Sequence, residues 1–285
     1  MTKEKLKSKT LYIVATPIGN LNEVSKRTFD VLSEVDLIAC EDTRVTNKLL
    51  KHLGIKKSLL VCHEHNEHAT SERIIELLLD NYKIALVSDA GYPLISDPGN
   101  KLVSSVLENG IEIVVINGPS AILPALIGSG LVTNHFYFHG FLSSKQSDRL
   151  SELRKLYQKE EVLIFYEAPH RLHKTVQDLY EIFGDRKMTI ARELTKMHEE
   201  YIRTSLEDCL NMEPGKYKGE LVLVVDGYAP ENVKVLNDKE ILHYLNQNIK
   251  QGFSFKDAIK NVATIHNLPK NMVYRIYIKH KDLIN

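Results

Sequence analysis

Short oxygen side chains recur beside structure-breaking residues in one stretch of this 285-residue chain, I-A-L-V-S-D-A-G-Y-P-L-I-S-D-P-G, residues 84–99. Ser88-Asp89 and Ser96-Asp97 stand next to Gly91, Pro93, Pro98 and Gly99, so carboxylates and hydroxyls are offered where the backbone must be irregular. Such doublets either cap turns or line a ligand crevice, and two in one loop keep both readings open. A second acidic pair, Glu41-Asp42, sits with Arg44 in E-D-T-R, which is charge for a site or for a solvated turn. A third concentration is H-E-H-N-E-H, residues 63–68. His63, Glu64, His65 and His68 are metal-ligand types, but the spacing has neither a Cys pair nor a helical H-E-x-x-H. Histidines facing solvent or substrate fit better, and no metal is expected.

These residues need strands that stop where they begin. Residues 84–87 are a short apolar run that reads as a buried strand ending at Ser88, and a helical pattern resumes over 100–108. Strand, polar loop and helix open a crevice at the carboxyl end of a sheet strand. The arrangement recurs: 11–15 empties into T-P-I-G-N before a helix over 25–33 that Ser25 can cap, 35–40 into E-D-T-R, 59–62 into the histidine run before a helix over 70–79, and 112–116 into N-G-P-S-A. Five strands alternating with helices predict a parallel, doubly wound domain. After Ser120 the run 121–131 reads as a helix softened by Pro124, Gly128 and Gly130. Strands over 136–138, 161–166, 187–191 and 220–225, with helices over 145–158 and 172–183, then predict a second α/β domain with some antiparallel pairing. Beyond Tyr228-Ala229-Pro230 only helical spacings remain, over 240–249, 254–263 and 270–279, and this end is net basic. It reads as a helix-turn-helix-like unit for nucleic acid, or as a solvated lysine face on a packing bundle. The expected domains are 1–118, 119–229 and 230–285.

Composition narrows the classes. Lys plus Arg equals Asp plus Glu at 37 each, so a polyanionic partner must be met by a local patch. Hydrophobic residues make up 43%, enough for a core. Cys40, Cys62 and Cys209 are odd in number and widely spaced, which suits free thiols in a reducing cytoplasm. The charged amino-terminal residues are followed by no apolar stretch of signal or membrane length, so a soluble cytoplasmic protein with no membrane partner is expected. Neither a Walker sequence nor G-x-G-x-x-G is present.

The blocks L-Y-I-V-A-T-P-I-G-N-L, D-L-I-A-C-E-D-T-R, H-E-H-N-E, A-L-V-S-D-A-G-Y-P-L-I-S-D-P-G, I-F-Y-E-A-P-H-R and A-R-E-L-T-K, in unbroken order between about Leu11 and Val225, resemble the ribosomal RNA small-subunit methyltransferase I family of the tetrapyrrole-methylase superfamily. The resemblance implies two α/β domains with S-adenosylmethionine in the cleft between them, a homodimer, and methylation of a cytidine 2′-hydroxyl in small-subunit ribosomal RNA, free or in the subunit. It implies that Ser88, Asp89, Ala90, Gly91, Ser120 and Ala121 border the donor, that Tyr166, Glu167, Ala168 and Ala191 supply the second domain's wall, and that Pro17 and Gly19 lie in the first loop. It also implies that Asp42 faces substrate. The family more often has Thr where this chain has Tyr92, and Pro where it has Asn117. A sulfonium donor carries its own activated methyl group, so the protein must position two substrates and remove one proton. Asp42 or Glu41 could accept that proton, Arg44, Arg171 and Lys196 could hold phosphates, and His63 and His65 would face substrate. A tetrapyrrole (precorrin-type) methyltransferase is the rival in chemistry, against which E-D-T-R and the basic tail speak. A non-catalytic nucleic-acid-binding regulator is the rival in class, and it would bind no donor.

Overall fold

Five apolar runs too short and too β-branched for helices lie side by side in the amino-terminal half, as β1 (Thr10–Val14), β2 (Leu37–Cys40), β3 (Ser58–Val61), β4 (Lys83–Val87) and β5 (Glu112–Ile116). The computed structural model describes residues 6–63, 66–213, 215–229, 236–250, 253–266 and 268–280. The sheet order is β3-β2-β4-β1-β5 and every pair is parallel. Central β1 is buried along its whole length, while edge strands β3 and β5 are only partly covered, as a sheet clad by helices on both faces requires. Helices α1 (Lys26–Glu34) and α2 (Thr43–His52) belong with one apolar layer around Val14, Leu32, Ile38 and Leu49. Helices α3 (Glu67–Leu79) and α4 (Asn100–Glu108) belong with the other, around Leu11, Ile74, Leu86 and Leu102. From the adjacent pair β1 and β4 the chain leaves in opposite directions, towards β2 and towards β5. That divergence opens a crevice at their carboxyl ends.

Helix α2 goes beyond the expectation of a strand-end turn at E-D-T-R. Asp42 is its N-cap, accepting the Arg44 N–H at 2.7 Å, and Thr46, Leu49 and Leu50 form its buried stripe.

The second sheet has the order β6-β7-β10-β8-β9, from β6 (Phe136–Phe141), β7 (Val162–Glu167), β8 (Lys187–Arg192), β9 (Glu200–Ser205) and β10 (Leu221–Val225). Only β6 and β7 run parallel; the other pairs are antiparallel. Helices α5 (Ile122–Ser129), α6 (Gln146–Leu156), α7 (Leu172–Phe183) and α8 (Leu206–Leu210) accompany it. Strand β9 lies outside the sequence expectation, because E-Y-I-R-T-S is a partly exposed edge with only two adjacent apolar residues. Gly128 softens α5 for a packing reason: a Cβ there would overlap the Tyr201 ring on β9.

Contacts divide the chain into two compact units, residues 1–228 and 229–285. The second has a core of its own, in which α9 (Asp238–Lys250), α10 (Phe255–Ile265) and α11 (Lys270–Lys279) pack Ile241, Leu245, Ile259, Val262, Val273 and Ile276 together.

Candidate active site

The loops after β1 and β4 are joined to each other. Thr16 N–H donates to the Gly91 carbonyl at 2.8 Å, Gly91 N–H returns a bond to the Thr16 carbonyl at 3.0 Å, and Thr16 Oγ1 donates to the Ser88 carbonyl at 3.0 Å. Gly91 sits at φ 77°, a left-handed turn that favours glycine. Beside this junction lies a cavity of about 390 Å³, within the range of about 300–1,000 Å³ usual for small-molecule sites. Asp89, Ala90 and Gly91 form one wall, Ser120, Ala121 and Ile122 at the start of α5 a second, and Tyr166, Glu167 and Ala168 at the end of β7 a third. The cavity therefore runs between the two sheets, as the resemblance implies.

Some expected donor residues stand behind these walls. Ser88 is 5% exposed, its hydroxyl within reach of the Gly91 carbonyl at 3.2 Å and of the Asp97 carboxyl. Ala191 is fully buried, paired in register with cavity-lining Val222. Pro17 and Gly19 flank the cavity residue Ile18 without lining it, and a Cβ at Gly19 would meet the Lys196 stem at 2.5 Å. Glu167 lines the cavity yet is 3% exposed, its carboxylate accepting from Thr175 Oγ1 at 2.5 Å and the Ala168 N–H at 2.8 Å.

An open groove of about 450 Å³ adjoins the first cavity, lined by Glu41, Asp42, Thr43, Arg44, Val61, His63 and Asp89. Asp89 lines both. Its Oδ1 also accepts the Asp42 N–H at 3.2 Å. The Arg44 guanidinium grips Asp42 through Nε at 3.0 Å and Nη2 at 2.6 Å. This hydrogen bonding, with the Arg44 N–H, holds the Asp42 carboxyl down at about 2, which makes it a weak proton acceptor. His65 lies outside the described residues. Arg171 and Lys196 line neither space. Arg171 is tied to the Leu142 carbonyl at 2.6 Å and to Glu167 at 3.2 Å, and Lys196 stands between Glu193 at 2.9 Å and Glu220 at 2.8 Å.

The cavity also contains Tyr92, Ile95, Asp97, Phe141 and Gly219, none of which the sequence assigns as a contact. Asp97 is the one with a legible signal, the second Ser-Asp doublet. Burial pushes its carboxyl up to about 6, Glu41 and Asp89 add to the rise, and the Ser88 hydroxyl opposes it. Burial also raises Asp89, and lifts Tyr166 to about 12 with help from Asp97. The two departures from the usual family residues meet: the Tyr92 hydroxyl donates to Asn117 Oδ1 and accepts the Gly118 N–H at 3.0 Å.

The family model for tetrapyrrole (corrin/porphyrin) methylases matches residues 10–210. A protein named ribosomal RNA small subunit methyltransferase I from Halalkalibacterium halodurans is 45% identical over 273 residues, covering 94% of either chain. The protein of that name from Bacillus subtilis is 43% identical over 276 residues, covering 94% of this chain and 93% of its own. The chain belongs to the ribosomal RNA small subunit methyltransferase I family. Solved structures support the fold: uroporphyrin-III-C-methyltransferase from Thermus thermophilus is similar at TM-score 0.55 and 18% identity, covering 76% of this chain and 94% of its own. The methyltransferase CobJ is similar at TM-score 0.58 and 18% identity, covering 77% and 94%. For this small subunit methyltransferase I member, no group of three or more His, Cys, Asp or Glu among the described residues could hold a metal. None of the described helices is long and apolar enough to cross a membrane.

Proposed function

We propose that the chain transfers a methyl group from S-adenosylmethionine to the 2′-hydroxyl of a cytidine in small-subunit ribosomal RNA. The observation that carries this reading is Asp89, which lines a cavity on one side and a more open groove on the other. A small donor and a large acceptor must meet at one point, and this arrangement offers one. The cavity fits the donor chemically: carboxylates Asp89 and Asp97 suit a cation, Ile18, Ile122 and Val222 suit a nucleoside's apolar faces, and small-residue loops expose backbone. When bound, the donor supplies an activated methyl group, and the walls hold it while excluding water.

Charge supports RNA as acceptor. From its start in the groove α2 exposes Arg44, Lys48 and Lys51, Lys56 follows, and no acidic residue lies between Thr43 and Lys57. Lys48, Lys51 and Lys56 form no ion pair among the described residues, so they present charge to phosphates. The relatives' names are those of ribosomal RNA methyltransferases. A homodimer belongs to this reading, because Leu123, Ile127 and Val132 expose apolar side chains on and just beyond α5 that a second copy would cover. So does the cytoplasm, where subunits mature.

The test is tritium transfer from methyl-labelled donor to naked RNA, small subunits and whole ribosomes, followed by digestion to nucleosides. Label in 2′-O-methylcytidine is expected. Label on a base, or on a tetrapyrrole in place of RNA, would sink the reading.

A further inference from the structure

Phe141, Tyr166 and Glu167 wall the cavity from the tips of two neighbouring strands, and the ladder between those strands gives the tips little support. Strand β6 is an edge with β7 as its one neighbour, and their register shifts between Phe138 and Gly140. Phe141 is the last residue of β6, paired with Tyr166, its side chain 55% exposed and its ring 5.5 Å from the Tyr166 ring. A strand end held on one side opens easily. Were this one to fray, the cavity would lose the shape of one wall.

Beyond Phe141 the tie is made by guanidinium groups. Arg171, the residue that opens α7, donates from Nη2 to the Leu142 carbonyl at 2.6 Å and to the Ser143 carbonyl at 3.2 Å. Its Nε stands 3.2 Å from the Glu167 carboxylate. That carboxylate also accepts from Thr175 Oγ1 at 2.5 Å and from the Ala168 N–H at 2.8 Å, so its oxygens are used within the protein. Arg149 of α6 adds bonds to the Ser143 and Ser144 carbonyls at 3.0 and 3.1 Å, and is held by Asp178 of α7 at 2.6 Å. Both arginines brace the segment after β6, but only Arg171 joins it to a cavity residue on β7. The fork of a guanidinium can serve a carboxylate and a carbonyl at once, which a single ammonium cannot.

We propose that Arg171 is a positioning residue for the methyl donor, fixing the wall made by Phe141 and Tyr166 by joining Glu167 to the carbonyls that follow β6. It acts through its neighbours and lines neither the cavity nor the groove. This replaces the phosphate contact that its charge suggests in the sequence, and it rests on the functional reading above, which puts the donor in this cavity. Supports behind a binding wall matter because a displacement of about 1 Å can cost on the order of 100-fold.

Arg171→Lys tests it, because the lysine keeps a positive charge beside Glu167 and so separates position from folding. Calorimetric affinity for S-adenosylmethionine should fall about 10- to 100-fold, and the donor KM should rise by the same factor. The rate at saturating donor should stay within about threefold, and RNA affinity and its salt slope should not change. Arg171→Ala, which strips Glu167 of its cation as well, should lose more donor affinity than the lysine variant. The chain has no tryptophan, so Phe141→Trp supplies a single fluorescent reporter of the wall. Adding Arg171→Lys to it should lower the anisotropy of that reporter. Donor affinity equal to wild type in Arg171→Lys, or an unchanged anisotropy, overturns the assignment. So does a fall in kcat or in melting temperature with donor affinity intact, the mark of a purely structural arginine. Weaker RNA binding with a flatter salt slope would return Arg171 to a phosphate. If wild type itself binds no S-adenosylmethionine, the functional reading fails and takes this one with it.

Discussion

Asp42 and Arg44 neutralise each other at the mouth of the groove, and Asp97 stands uncompensated a short way off. The two carboxyls therefore respond to pH in opposite senses. Asp42 is depressed in the fold, so its contribution is present above the ordinary carboxylate value and is lost as pH falls towards about 2. Asp97 is raised, so the native state holds the proton more tightly than the unfolded chain, and stability declines as pH climbs from about 4 through about 6. Asp97→Asn should then melt higher than wild type at pH 8 by roughly 2–4 °C, with the gain vanishing near pH 4, because its partly exposed site screens much of the penalty. A lower melting temperature at pH 8 would show that the carboxylate is compensated after all. Arg44→Ala should raise KM for RNA about tenfold and leave donor affinity unchanged, since a phosphate contact acts in the ground state. Equal loss of donor affinity would place Arg44 on the other substrate. At this scale the sequence was legible through whole motifs and not single residue types: Asp89, Gly91 and Ser120, which the family resemblance singles out, line the cavity. It was not where charge could turn inward, and nothing in E-A-P-H-R or R-E-L-T-K tells that Arg171 and Lys196 are tied to carbonyl and carboxylate groups of the second domain.

Elements were readable wherever an apolar run meets a breaker. Three strands of the parallel sheet, β1, β4 and β5, follow that rule, while β2 and β3 run into E-D-T-R and the histidine run with no Gly or Pro between. Helix α2 escaped because its cap is also its most chemical-looking residue, and β9 because a partly exposed edge strand need not alternate. The H-E-H-N-E-H run shows the same ambiguity resolved by packing: Glu67 turns away from solvent and supplies from α3 the cap that α4 lacks. Glu67→Ala should leave two backbone N–H groups without their acceptor and destabilise the protein by about 2 kcal/mol, a fall in Tm of roughly 4–8 °C. Glu67→Gln keeps an acceptor oxygen and should recover most of that stability. If both variants melt like wild type, another acceptor caps the helix.

At the scale of the whole molecule, the second unit keeps its own apolar core and exposes Lys250, Lys256, Lys260, Lys270 and Arg275. None of the cavity residues lies in it. A chain truncated after Ala229 should bind donor as before, bind RNA more weakly, and show a flatter dependence of RNA affinity on salt. On single-stranded RNA the slope should fall by about 0.7 for every phosphate that the basic face no longer neutralises. An unchanged slope would mean the basic face meets no phosphate. Calorimetry and filter binding at two salt concentrations decide it.

The pairing of Tyr92 with Asn117 carries a consequence for descent. A change of Tyr92 to the usual Thr removes the hydroxyl that serves both Asn117 and the Gly118 N–H, whereas a change of Asn117 to the usual Pro removes the acceptor that the phenol faces. Either exchange alone breaks the hydrogen bond between the two side chains, so the first exchange in a lineage alters the cost of the second. The double variant Tyr92→Thr with Asn117→Pro should be more stable than the sum of the single effects predicts, by about 0.5–3 kcal/mol of coupling.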